Sequence, residues 1–298
     1  MGKAGAWIST FRLPTLLLAL GAASLVGYLA VHAQQWHVPA WIAYTITILA
    51  LQILSNVAND YGDLRHGADV HRIGPRRAIH KQQISVRDLR KGMNWWTGIA
   101  LAAGSMAIVL SPTSWIIKGG LWAAGLASLW AARAYTATAQ PYGYRGLGDL
   151  AVFVFFGPMA IGAGFWLVTG HFEAIHWIIG AAYGLLSTAV LNLNNLRDIP
   201  TDRVSGKHTL ATRLGRQGTI IYHGMLLIGA LLLHLWWGNY VYHSQRQYYA
   251  LFYGVIFFYH WGFVARARTP QRLTFMLKQL VLTAFAYAHV IGLSLWVK

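Results

Sequence analysis

The chain has 298 residues, of which 56% are hydrophobic and 11% charged, with a formal net charge of +16 and no cysteine. A water-facing domain carries about 25% charged residues, so the composition excludes an ordinary soluble globule, and the missing thiols exclude disulfides, thiolate metal sites and cysteine nucleophiles. Excess positive charge can mark a nucleic-acid partner, but here the cations sit at the edges of apolar runs, as membrane topology places them; the expected partner is a lipid bilayer, not nucleic acid.

A helix needs roughly 20 apolar residues to cross the hydrocarbon core. Nine candidate spans follow in chain order: 14–31, 40–57, 93–110, 115–132, 150–169, 177–196, 218–237, 248–264 and 279–297. The first follows Arg12 directly and lacks a small-residue cleavage pattern, so it reads as a retained membrane helix and not a signal peptide. A cytoplasmic N-terminus puts 21 lysines and arginines on the inner side and 3 (Lys118, Arg246 and Lys298) on the outer, the asymmetry that sets orientation. The long inner connections, 60–91 and 197–217, are the expected functional loops. The expected architecture is an all-α integral membrane bundle, one domain over 1–298.

Seven of the eight acids (Asp60, Asp63, Asp69, Asp88, Asp149, Asp198 and Asp202) fall on the inner side, and Glu173 lies outside. Five of them form two clusters at the inner ends of the second and sixth spans. Asn56, Asp60 and Asp63 are spaced by four and three residues, one face if the helix continues. Asn195, Asp198 and Asp202 repeat the stripe, but Pro200 opposes helix continuation, which leaves open whether Asp198 and Asp202 share a face. Gathered carboxylates repel and are costly to desolvate. A divalent cation removes that conflict, and magnesium takes one or two carboxylates plus substrate phosphates. Arg72, Arg76, Arg77 and Lys81 in one loop, and Arg197, Arg203, Lys207 and Arg213 in the other, suit phosphate oxygens.

At these residues the chain resembles the UbiA superfamily of membrane prenyltransferases, which pairs an NDxxDxxxD-like motif with DxxxD. Asn59-Asp60-Tyr-Gly-Asp63 matches the start of the first motif, with Asp69 as its last acid after five intervening residues instead of three. Asp198-Ile-Pro-Thr-Asp202 matches the second. The longer spacing, with the stretches 69–78, 141–149 and 195–215, is similar to the branch that prenylates 1,4-dihydroxy-2-naphthoate. The likeness covers nearly the whole chain.

The resemblance implies helices around a central cavity, in a bacterial inner membrane, with the aspartate clusters facing each other at its cytoplasmic mouth. It implies Mg2+ on Asp60, Asp63, Asp69, Asp198 and Asp202, and a polyprenyl diphosphate held by Asn56, Asn59, Arg72, Arg77, Asn195, Arg197, Lys207 and Arg213. The prenyl tail would lie in an apolar tunnel open to lipid. The acceptor ring would meet Tyr142, Tyr144 and Arg145, with Asp149 as proton acceptor; a capped helix start is the alternative for Asp149. Two rival readings remain: the same chemistry on 4-hydroxybenzoate or homogentisate, and a secondary transporter. Transporters place carboxylates near the bilayer midplane, whereas no acid here falls in the middle of an expected span.

Overall fold

The computed structural model describes residues 2–67, 84–242 and 249–296. Asp69, Arg72, Arg76, Arg77 and Lys81 lie outside the described residues.

A short helix, α1 (Lys3–Phe11), precedes the first span and was not anticipated. It lays Ala6, Trp7 and Phe11 against Val57, Leu89 and Met93. Arg12 then takes a left-handed conformation (φ 52°) that turns the chain into α2 (Leu13–His32), where Pro14 occupies the first turn. Proline is tolerated there because that N–H has no intrahelical acceptor. The long α3 (Val38–Arg65) returns through the bundle. Next come α4 (Val86–Leu110), opened by a reciprocal Ser85–Asp88 capping box, and α5 (Trp115–Ala134).

The expected fifth span is continuous in position but irregular in form. It comprises α6 (Gly148–Phe156), a π-helical turn (Pro158–Ala163) and α7 (Gly164–Thr169). Gly157 and Gly184 let α6 cross α8 at close range: a Cβ on Gly184 would stand 2.5 Å from the Phe153 carbonyl oxygen. The Tyr44 hydroxyl donates to the Ala160 carbonyl, satisfying a backbone group inside the irregular turn, which a bilayer-embedded chain must do. The remaining helices are α8 (Ala174–Val204), α9 (Leu210–Val241), α10 (Tyr249–Arg266) and α11 (Pro270–Ser294).

Among the described residues, seven segments are long and apolar enough to cross a membrane: α2, α3, α4, residues 148–169, α8, α9 and α11. Helices α5 and α10 coincide with the other two expected spans. Outward faces expose large apolar side chains such as Ile116, Trp130, Phe252 and Phe258, the surface a lipid solvent requires. Helix α8 packs on α6, α9 and α11, while α3 packs on α2, α4 and α5, and α2 joins the two halves through α11.

Pro200 does not break α8, which continues to Val204. Proline in a helix interior costs roughly 3 kcal/mol. The burial of Ile199 and Thr201 and the Thr201 Oγ1 bond to the Asp198 carbonyl (2.9 Å) offset that cost. Asp198 and Asp202 therefore share one helical face.

The end of α3 is fixed by backbone contact. A Cβ on Gly62 would lie 2.2 Å from the Thr136 carbonyl oxygen, while Thr136 Oγ1 donates to the Ala58 carbonyl at 3.0 Å. Gly62→Ala should therefore displace the turn that carries Asp60 and Asp63. A destabilisation of about 1–3 kcal/mol is expected, read as a lowered thermal transition in detergent together with lost turnover; an unchanged transition would contradict this packing.

Candidate active site

The last turns of α3 and α8 end at the same mouth. Asn59 and Asp63 from α3, and Asn195, Asp198 and Asp202 from α8, line a small polar pocket of about 60 Å³. Below it opens an apolar cavity of about 460 Å³ walled by α2, α3, α4, α5, α6, α8 and α11, with Asn56, Asn59 and Asp60 at its polar end. Arg12, Asn59, Tyr135 and Asn194 line both spaces, so polar mouth and apolar cavity are contiguous.

Each carboxylate faces a cation. Arg12 Nη2 lies 2.6 Å from Asp60 Oδ1, and Asp60 is only 2% exposed. Lys207 Nζ lies 2.8 Å from Asp63 Oδ1 and 3.8 Å from Asp202 Oδ1, so one ammonium bridges the two clusters. Arg197 grips Asp198 bidentately, with Nε to Oδ1 and Nη2 to Oδ2 both at 2.7 Å. It also donates to Asn194 Oδ1 (2.7 Å) and Thr274 Oγ1 (3.3 Å). Tyr144 donates to Asp63 Oδ1 at 2.7 Å, and its ring lies 4.6 Å from the Lys207 ammonium.

The expected site residues separate into three groups. Asp60, Asp63, Asp198, Asp202, Asn59, Asn195, Arg197, Lys207 and Tyr144 come together around the pocket and cavity mouth. Asn56 lines the cavity, but its amide donates to the Phe11 carbonyl (2.9 Å) and Thr15 Oγ1 (3.1 Å), tying α3 to the α1–α2 joint. Tyr142 lines the apolar cavity and donates to the Ala131 carbonyl at 2.9 Å. Arg145 is exposed and bonds Gln140 Oε1, and Arg213 donates to the Arg145 carbonyl at 2.9 Å; neither lines the pocket or the cavity. Asp149 is buried off the cavity wall beside the Tyr222 hydroxyl, with Oδ1 unpartnered among the described residues.

Two site residues escaped sequence reasoning. Arg12 read only as a topology marker, and nothing in its spacing foretold its reach to Asp60. Tyr135 had no motif around it, yet it stands where the pocket meets the cavity. Burial pushes the Tyr135 phenol up, with the Asp149 charge adding to the effect, and burial alone pushes Tyr142 up to about 12. Both phenols are therefore neutral near pH 7 and not bases, and Tyr142 donates to the Ala131 carbonyl.

The donor set suits magnesium. Among the described residues no three His, Cys, Asp or Glu side chains converge into a closed cage. Magnesium does not need one, since it takes one or two carboxylates and completes its shell with water and phosphate oxygens. Carboxylates facing each other over a polar pocket supply such oxygens.

Comparison with known proteins agrees with this geometry. The model of the UbiA prenyltransferase family matches residues 6–288. The chain is 37% identical over 310 residues to 1,4-dihydroxy-2-naphthoate octaprenyltransferase of Escherichia coli (strain K12), covering 99% of this chain and 98% of that one. It is 40% identical over 234 residues to the Haemophilus influenzae protein of the same name, covering 77% and 75%. Among solved structures, the apo form of a UbiA homolog from Aeropyrum pernix K1 superposes with a TM-score of 0.70 at 14% identity, covering 93% of this chain and 97% of that one. A UbiA homolog from Archaeoglobus fulgidus bound to GPP and Mg2+ superposes at 0.64 and 15% identity, covering 96% and 99%. With its two aspartate clusters meeting over an apolar cavity, the chain belongs to the UbiA prenyltransferase family.

Proposed function

We propose that this membrane enzyme transfers a polyprenyl chain from polyprenyl diphosphate to carbon 2 of 1,4-dihydroxy-2-naphthoate, releasing diphosphate and CO2 on the cytoplasmic side of the inner membrane. The observation that carries this reading is the joining of a carboxylate-lined polar pocket to a long apolar cavity, in a chain similar over nearly its full length to naphthoate octaprenyltransferases.

The polar pocket takes the diphosphate and the apolar cavity takes the tail. Asp60, Asp63, Asp198 and Asp202, joined by Asp69, would hold magnesium. Magnesium bound there acts as a Lewis acid toward the departing diphosphate. Lys207 and Arg12 stand at the pocket to donate to phosphate oxygens, and Asn59 and Asn195 add amide donors; Arg72 and Arg77 belong to the same role. Arg197, locked on Asp198, orients that carboxylate. The largely apolar cavity walls would exclude water from the allylic cation.

The bond changes balance without an added base. The C1–O bond breaks and its electron pair leaves with the diphosphate. The ring carbon supplies the pair for the new C–C bond. The bond to the carboxyl group then breaks, CO2 departs, and its pair restores the aromatic ring. No proton is gained or lost, so Asp149, which lies off the cavity, has no required part in this sum.

Activity in membranes should vanish in excess EDTA and return with added Mg2+; full turnover in EDTA would exclude the metal. Asp63→Ala and Asp198→Ala should each lower kcat by about a hundredfold or more. Asp88→Ala should keep kcat and lower thermal stability, because it removes the α4 capping box. Equal losses of kcat at Asp88 and Asp63 would remove the case for the clusters. Asp149→Asn should keep kcat within about threefold, since it removes no required base; a hundredfold drop would return Asp149 to the chemistry.

A further inference from the structure

The inner ends of α3 and α4 carry charge that the diphosphate site does not use. Tyr61 lines neither the pocket nor the cavity. It packs with Val57, Leu89 and Met93 in the small core beside α1 and is 6% exposed. Its hydroxyl accepts from Arg90 Nη2 of α4 at 3.3 Å, and the Arg90 guanidinium carbon stands 5.9 Å from its ring centre. Arg65, one turn farther along α3, reaches toward the same hydroxyl. Two guanidiniums from two helices thus converge on one neutral oxygen. Both arginines are exposed, and neither pairs with a described acid. The acid at the start of α4, Asp88, is already engaged by Ser85 and by Lys3 of α1 at 3.4 Å.

Helix stability does not ask for this arrangement. Arg87, Arg90 and Lys91 stand three and four residues apart in the first turns of α4, and like charges so spaced repel. The start of a helix also disfavours cations. Membrane topology accounts for basic residues on this side, but not for two of them gathered at one phenol, where long flexible side chains could separate. An anion between them removes the conflict, and guanidinium matches phosphate oxygens with paired donors.

The surroundings place this cluster at a lipid surface. Trp95 follows Arg90 by five residues on α4, about 8 Å deeper at 1.5 Å per residue, and is 71% exposed. Exposed tryptophan belongs at the headgroup boundary of a bilayer. Val86 at the start of α4, and Ile8 and Leu13 around the α1–α2 joint, also present apolar side chains outward. The arginines therefore stand at the level of lipid phosphates. We propose that Arg65 and Arg90, braced by Tyr61, bind the phosphate of an anionic phospholipid in the leaflet on the active-site side, with Arg87 and Lys91 adding to the attraction. Clusters of Lys and Arg at the inner ends of spans attract such headgroups. A zwitterionic headgroup fits less well, because its own ammonium would meet these cations. This site goes beyond the transfer reaction and does not depend on which acceptor the enzyme uses.

The test is native mass spectrometry of the full-length protein in detergent, titrated with phosphatidylglycerol and, as reference, phosphatidylcholine. The wild type should hold phosphatidylglycerol more tightly. Arg65→Gln combined with Arg90→Gln should weaken phosphatidylglycerol about ten- to thirtyfold and leave phosphatidylcholine unchanged. Arg266→Gln combined with Arg268→Gln removes the same charge from the inner ends of α10 and α11 and should change the constant by less than about twofold. Equal losses from the two double variants would show that only the general surface charge attracts lipid, and would overturn the site. Tyr61→Phe keeps the ring in its core and removes the oxygen on which the arginines meet. It should weaken phosphatidylglycerol severalfold, and it serves as the readout if the double variant inserts poorly; binding unchanged by Tyr61→Phe and by the Arg65/Arg90 pair would overturn the proposal. Glycerol 3-phosphate at equal concentration should not displace the lipid. Displacement would mean that the arginines take a soluble phosphate, and the lipid assignment would fall.

Discussion

Four carboxylates share one mouth at the edge of a low-dielectric bundle, and the architecture around them is organised by the need to compensate that charge. Asp60, Asp63, Asp198 and Asp202 are each at most 8% exposed. Ionised carboxylates in such a place repel one another and lose hydration. Two regions of the chain bring the cations. The left-handed residue between α1 and α2 aims Arg12 at Asp60, the turn between α8 and α9 brings Lys207 between Asp63 and Asp202, and α8 supplies Arg197 beside Asp198. Removing one partner of a buried pair typically costs about 3–5 kcal/mol, because the other charge is left uncompensated. The Arg12–Asp60 and Lys207–Asp63 pairs therefore hold the ends of α2, α3 and α8 at one mouth.

Most of the scaffold was legible because bilayer chemistry is written in long runs. Apolar length marked the spans, and the acid clusters marked the ends of α3 and α8, since few acids occur elsewhere to blur them. What escaped depends on three-dimensional neighbours. Pro200 read as a possible helix breaker, but the packing of Ile199 and Thr201 carries α8 through it. Arg197 read as a phosphate ligand, and the structure adds its clamp on the aspartate next to it, a one-residue relation that no spacing rule flags. The Tyr142–Asp149 stretch read as one acceptor site, yet the turn at 142–146 scatters it: Tyr142 faces the cavity, Tyr144 the polar pocket, Arg145 the surface and Asp149 the α8–α9 side. Glycine spacing shows that a chain turns there, not where each side chain goes.

The pairing of acids with bases also bears on how the site takes a polyanion. Among the described residues the mouth combines four carboxylates with Arg12, Lys207 and Arg197, leaving it near neutrality with a slight negative excess. A diphosphate entering alone would meet carboxylates whose counter-charges are already engaged, and like-charge repulsion would oppose it. Entry with divalent cations would change the balance, because carboxylate oxygens would then serve the metal and leave the basic side chains free to turn to phosphate. Lys207 is suited to that exchange: its ammonium is a compact charge on a flexible stem, on Asp63 with Asp202 within reach and over the Tyr144 ring. Arg197 is not, since four hydrogen bonds hold its planar head against Asp198, Asn194 and Thr274. The two residues carry the same charge, but one is built to change partners and the other to keep a carboxylate still while its neighbour does so.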